Sequence, residues 1–174
     1  MAKLVNSRRL YFFVKTELLD KIEHSGISID KYLLDNVVSD FICFKIFAEF
    51  DSNMNTIIKN FKLSHNIDVN KKEIGFLKPS EIKKHLNKNF KISKSDLAFL
   101  DNRSDFAEFI INRHSIGHTA ASSTIPFHDA LKYIEEGDEI LEKVREVLKI
   151  HGKITRLDRP NNLIQNLKNM IMKK

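Results

Sequence analysis

The chain has 174 residues, 42% of them apolar and 30% charged, with five glycines, three prolines and one cysteine. That length and balance suit a single globular domain with a sizeable core, and they exclude a disordered chain or a disulfide framework. The formal charge of +6 and a pI near 9.3 favour anionic partners, nucleic acid first.

From Leu4 to His24 the apolar residues Leu10, Phe13, Val14, Leu18 and Ile22 recur at helical spacing, and Ser25-Gly26 supplies a stop. A leader peptide is not expected. The run Leu10-Tyr11-Phe12-Phe13-Val14 is short, ends at Lys15 and precedes no small-residue cleavage site. A second helix is expected from near Ser28, with Asp30 able to cap it. Leu33, Leu34, Val37, Val38, Phe41, Ile42, Phe44, Ile46 and Phe47 make it apolar on more than one side, as in a central or interface helix. Asp40, Lys45 and Glu49 interrupt it too often for a membrane span, so a soluble cytoplasmic protein is expected. Cys43 lies within this run and reads as a buried small hydrophobe. Asp51-Ser52-Asn53 is expected to loosen the helix before Met54, Ile57, Ile58 and Phe61 carry the spacing onward.

Between Lys59 and Lys94 ten lysines face only three acids (Asp68, Glu73 and Glu81), and the apolar residues are scattered. The segment reads either as a solvated insertion or as a footprint for RNA phosphates, with Lys71, Lys72, Lys83 and Lys84 as candidate contacts. Within it, Pro79-Ser80-Glu81 is a helix start leading through Ile82 to Leu86. Ser93 or Ser95 can cap a short helix holding Leu97, Phe99 and Leu100, and another helix is expected from about Ser104. The small polar stretch after His118 is a loop, and Thr124 with Pro126 opens the last long helix. That helix carries Leu131, Ile134, Leu141, Val144 and Leu148, with Gly137 on the same stripe, and His151-Gly152 is expected to stop it. Residues 1–152 thus form the domain, and 153–174 a tail or one further short helix. A strand pattern competes only weakly, around Ile67 to Phe76. The fold expected is an all-α bundle of four or five helices with a basic insertion, 59–94, before the helix that starts near Ser104.

The chemistry concentrates in Asn112-Arg113-His114-Ser115-Ile116-Gly117-His118, entered from a helix whose Phe106, Phe109 and Ile110 share a face. Arginine suits a phosphate and histidine titrates near neutral pH. On a straight helix positions 113 and 118 stand about 140° apart, whereas 114 and 118 share a face. A bend at Gly117 would bring Arg113 and His118 together. Three uses are open: ordinary packing and capping, a metal site through His114 and His118, and phosphodiester chemistry without a metal. The metal site lacks an HExxH pattern and has only Asp129 as a nearby acid.

Arg113-x4-His118, late in an all-α domain and followed by a loop and one long closing helix, resembles the Arg-x(4–6)-His motif of the HEPN superfamily. The likeness is nearest to RiboL-PSP-type members, over roughly Leu4 to Lys149. Phe50-Asp51 resembles the aromatic-acid step of the family's second helix, with Asp51 where glutamate is usual; His114 and Gly117 stand where asparagine and alanine are usual. The resemblance implies a metal-independent endoribonuclease with no cofactor, acting as a homodimer whose two motifs share one cleft. Arg113 would hold the scissile phosphate, and His118 would move the proton of the ribose 2′-OH or of the leaving oxygen. Products would carry 2′,3′-cyclic phosphate and 5′-OH ends. Asn112, His114 and Asp51 would support the site. The family also implies a toxin or antiviral effector with an antitoxin or defence-system partner. The alternative it leaves open is a non-catalytic nucleotide-, RNA- or protein-binding module.

Overall fold

The computed structural model describes residues 3–26, 31–65, 67, 78–119 and 125–157, with the side chains at 31–33, 35, 114–119 and 153–157 excepted. The expected cap at Asp30, the weak strand pattern from 68 onward, the loop 120–123 with Thr124, and the tail past 157 lie outside these residues. Five helices and no strand make up the described part, so the chain is an all-α bundle. Helix α1 spans 5–24, α2 Lys31–Ser64, α3 Pro79–Phe90, α4 Ser104–Thr119 and α5 Ala130–Leu157. Two single 3-10 turns, Ala98–Leu100 and Phe127–Asp129, introduce α4 and α5. No helix among the described residues is long and apolar enough to cross a membrane.

Helix α2 is the axis. It packs against α1, α4 and α5, and α5 in turn packs against α1 and α4. Ile42, Cys43, Ile46, Phe50, Met54 and Ile58 of α2 are buried, and recur at threes and fours toward one centre. An aromatic chain crosses the core from α2 through α4 to α5. Phe50 meets Phe106 edge-on at 4.9 Å, Phe106 meets Phe109 at 5.5 Å, and Phe109 stacks on Tyr133 at 4.9 Å. Gly137 is what lets α1, α2 and α4 close on α5. A Cβ there would stand 2.8 Å from Leu4 Cδ1 and 3.4 Å from rings of both Phe106 and Phe50.

Several sequence expectations are corrected. Asp51-Ser52-Asn53 does not loosen α2, which runs unbroken through them. Phe50 and Met54 are both fully buried, so packing pins the backbone on either side, and Asn55 and Thr56 bond back to the carbonyls of Asp51 and Ser52. Gly152 does not stop α5 either. The ring of His65, at the end of α2, occupies the place where a Cβ would be, only 2.8 Å away, so the glycine marks a close approach inside a continuing helix. Gly117 likewise sits within α4, which continues to Thr119. The helical span 5–24 holds, but its middle, Val14–Leu19, is π-helical. The second half of the lysine-rich segment is structured. Pro79 opens α3, Glu81 accepts from the amide of Lys78, and Pro79, Ile82, Leu86 and Phe90 are buried. Phe90 meets Phe61 of α2 edge-on at 5.1 Å.

Candidate functional site

Arg113 continues the buried stripe of α4 one step beyond Phe109 and Ile110, so its side chain lies against α2 and is only partly exposed. The position demands apolar contact, and the flat guanidinium supplies it. Its carbon lies 3.9 Å from the centre of the Phe47 ring and 5.1 Å from that of Phe44. This is a cation–π arrangement, worth about 0.5–2 kcal/mol depending on desolvation. Arg113 Nε is buried, and it is the one buried side-chain nitrogen or oxygen among the described residues with no hydrogen-bond partner. No described carboxylate pairs with Arg113, in contrast to Arg8 and Arg103, each of which faces two.

The other expected residues are distributed as follows. His114 and His118 lie on the continuing helix α4, their side chains outside the described set. Because α4 is unbroken at Gly117, positions 113 and 118 stay about 140° apart around it. Position 118 falls seven residues on from Ile111, which is exposed. Asn112 is half-buried beside Arg113. Asp51 is on α2, four residues past Phe47, and accepts from Asn55 Nδ2 at 2.9 Å. Lys71 and Lys72 are outside the described residues. Lys83 places its ammonium on both oxygens of Asp101, at 2.5 and 2.6 Å, whereas Lys84 is exposed on α3.

Beside this region α2 presents an apolar stripe to solvent. Val37, Phe41 and Phe44, at spacings of four and three, are 58%, 59% and 48% exposed. Phe44 therefore belongs both to the stripe and to the surroundings of Arg113.

A second polar cluster, not expected from sequence, joins the start of α4 to α5. Asn102, Arg103, Ser104, Asp105, Lys132, Glu135, Glu136 and Glu139 line an open groove of about 530 Å³. Arg103 reaches Glu139 at 2.7 Å and Glu136 at 3.6 Å, and Lys132 binds Asp105. The hydrogen bonds from Arg103 and then Lys143 hold the Glu139 carboxyl down to about 2 from its ordinary 4.5. Glu136 moves the other way: burial raises it, and the Arg103 charge only partly offsets that. Every charge named here has a partner of opposite sign, so the cluster fastens α4 to α5.

Two carboxylates that sequence reasoning passed over hold the start of α1. Glu49 of α2 accepts from the amides of Asn6 and Ser7, from Asn6 Nδ2, and from the buried Ser7 hydroxyl at 2.6 Å. Asp138 of α5 accepts from the Leu4 amide at 2.6 Å and from Arg8 at 3.0 Å. Both satisfy first-turn donors from another helix, as anions are suited to do there. The only local signal was negative: α1 has no acid in its first turn.

The chain was compared with protein families, curated proteins and solved structures, and it matches none of them.

Proposed function

We propose that the protein is a metal-independent endoribonuclease of HEPN type, in which Arg113 holds the scissile phosphate and His118 transfers the proton. Attack by the 2′-OH would leave 2′,3′-cyclic phosphate and 5′-OH ends, and would spare DNA. The observation that carries the proposal is Arg113 itself: a guanidinium laid on Phe47 with no acid partner among the described residues, on a helix of an all-α bundle. An arginine so placed retains its charge for an external oxyanion.

The working unit in this proposal is a homodimer. Positions 113 and 118 stand about 140° apart around an unbroken helix, so in this proposal the Arg113 of one copy works with the His118 of the other. The exposed Val37, Phe41 and Phe44 offer a second copy an apolar surface beside Arg113. Two copies meeting there would bring an Arg113 and a His118 to a shared cleft. An RNA-degrading activity in the cytoplasm would need restraint, so a toxin or defence effector with a protein partner fits. Lys84 and other lysines between 59 and 94, Lys83 excepted because Asp101 holds it, would add phosphate contacts without reading sequence.

The same 140° separation favours a second reading, a module that binds nucleotide or RNA through Arg113 and cleaves nothing. One experiment separates them. Purified protein of measured sedimentation mass is incubated with total RNA in EDTA, beside an Arg113→Ala/His118→Ala variant. The nuclease reading expects a dimer and cyclic-phosphate ends from the parent protein only. A dimer that binds RNA without cutting it establishes the module instead, and divalent-dependent cleavage leaving 5′-phosphate ends refutes the mechanism.

A further inference from the structure

Two other arginines of this bundle are oriented by acids. Arg8 lies between Asp138 and Glu135, and Arg103 between Glu139 and Glu136. Carboxylates fix a guanidinium by occupying its donors and cancelling its charge. Arg113 is oriented differently, by two aromatic faces contributed by α2 one turn apart. A phenyl ring attracts the cation through its quadrupole but accepts no strong hydrogen bond, so it sets the plane of the guanidinium and leaves the N–H groups available. The buried Nε shows that water has been removed from the inner edge of the group. A partly desolvated cation interacts more strongly with an incoming anion than a hydrated one.

We infer that Phe47 and Phe44 are positioning residues: they form an aromatic cradle that presents the Arg113 guanidinium, unneutralised and in a fixed plane, to a phosphodiester oxygen. This rests on the proposal that Arg113 engages RNA phosphate. Phe47 sets the plane by direct stacking at 3.9 Å. Phe44, 48% exposed, adds a second ring at 5.1 Å. Leucine at either place would fill much of the volume but carries no quadrupole, so the guanidinium would keep its anchor point and lose its preferred plane.

The test uses the full chain and a 2′-O-methyl RNA oligonucleotide, which binds without being cut. Proton–nitrogen spectra follow the Arg113 Nε–Hε signal while titration gives the dissociation constant. In the parent protein that signal is shifted upfield by the rings and moves on adding RNA. Phe47→Leu should lose the ring shift and weaken binding roughly 3- to 10-fold, and Phe47→Tyr should restore both. Phe44→Leu, compared at unchanged sedimentation mass because Phe44 also lies in the proposed dimer surface, should weaken binding about twofold, consistent with its longer distance. If Arg113→Ala loses affinity while both leucine variants bind like the parent, the cradle is refuted and the proposed function stands. If Arg113→Ala binds like the parent, the arginine reading falls and the cradle with it.

Discussion

Replacing Asp138 by alanine removes the carboxylate that fastens the beginning of α1 to α5. Two donors lose their acceptor. The Leu4 amide, on a residue with no exposed surface, is left buried and unpaired, which costs about 1–3 kcal/mol. Arg8 loses its closer partner, but its side chain is 36% exposed and water replaces much of the interaction, so about 0.5–1 kcal/mol is lost there. Removing an anion from a helix N-terminus adds about 0.3–1 kcal/mol. The sum is about 2–5 kcal/mol, or a fall in melting temperature of roughly 4–20 °C for a chain of this size. Asp138→Asn keeps an oxygen for the Leu4 amide and loses only the charge, so it should cost about 1 kcal/mol. Urea titration followed by circular dichroism measures both, and amide exchange at residues 5–13 shows whether α1 is the element released. A change below 0.5 kcal/mol for Asp138→Ala, or equal damage from alanine and asparagine, would refute this account of how α1 is held.

Gly152→Ala gains up to about 1 kcal/mol of helix propensity, yet it puts a Cβ 2.8 Å from a ring that is stacked on Phe61 and bonded to the Phe61 carbonyl. Overpacking of about 1–3 kcal/mol should win; adding His65→Ala should relieve it, and thermal melts of the single and double variants check the non-additivity. For acid stability, the folded-state carboxyl of Glu139 lies at about 2, below its ordinary 4.5. Its contribution is therefore complete above about pH 4.5 and is lost as the pH falls toward 2. Glu136, raised by burial, has the opposite sign and is relieved by acid, which blunts the effect. Glu139→Gln should lower the urea midpoint at pH 5.5 and matter less at pH 3; an equal loss at both would exclude the linkage.

Periodicity carried most of the helix order because buried positions repeat locally. Phe106, Phe109 and Ile110, and Ile134, Leu141, Val144 and Leu148, are all buried at the spacing their sequence shows. The errors share a cause. Gly152 and Asp51-Ser52-Asn53 are breaker types, and whether a breaker breaks depends on what packs against it. The His65 ring and the buried Phe50 and Met54 decide that from outside the local window. The same limit hid Glu49 and Asp138, whose partners lie 42 to 134 residues away. At the candidate site, Arg113 was conspicuous as a residue type, but its support was not. Phe44 and Phe47 look like any other core aromatics until α2 and α4 are laid together.

The unbroken length of α2 has a mechanical consequence. At 34 residues it is about 50 Å long, and it works as a shared datum line for the bundle. Glu49 locates α1 on it, Phe47 locates Arg113, Phe50 locates α4, and Phe61 and His65 locate α3 and the far part of α5. One residue added or removed between Phe50 and Phe61 would turn one half of those marks by about 100° against the other and slide them by about 1.5 Å. Length change is therefore barred from the middle of α2. Helix α1 differs, since its π-helical Val14–Leu19 already takes up the winding of one extra residue. A single deletion there would be felt no further than the end of α1, whose last five residues are Asp20–His24, and would leave every mark on α2 where it is.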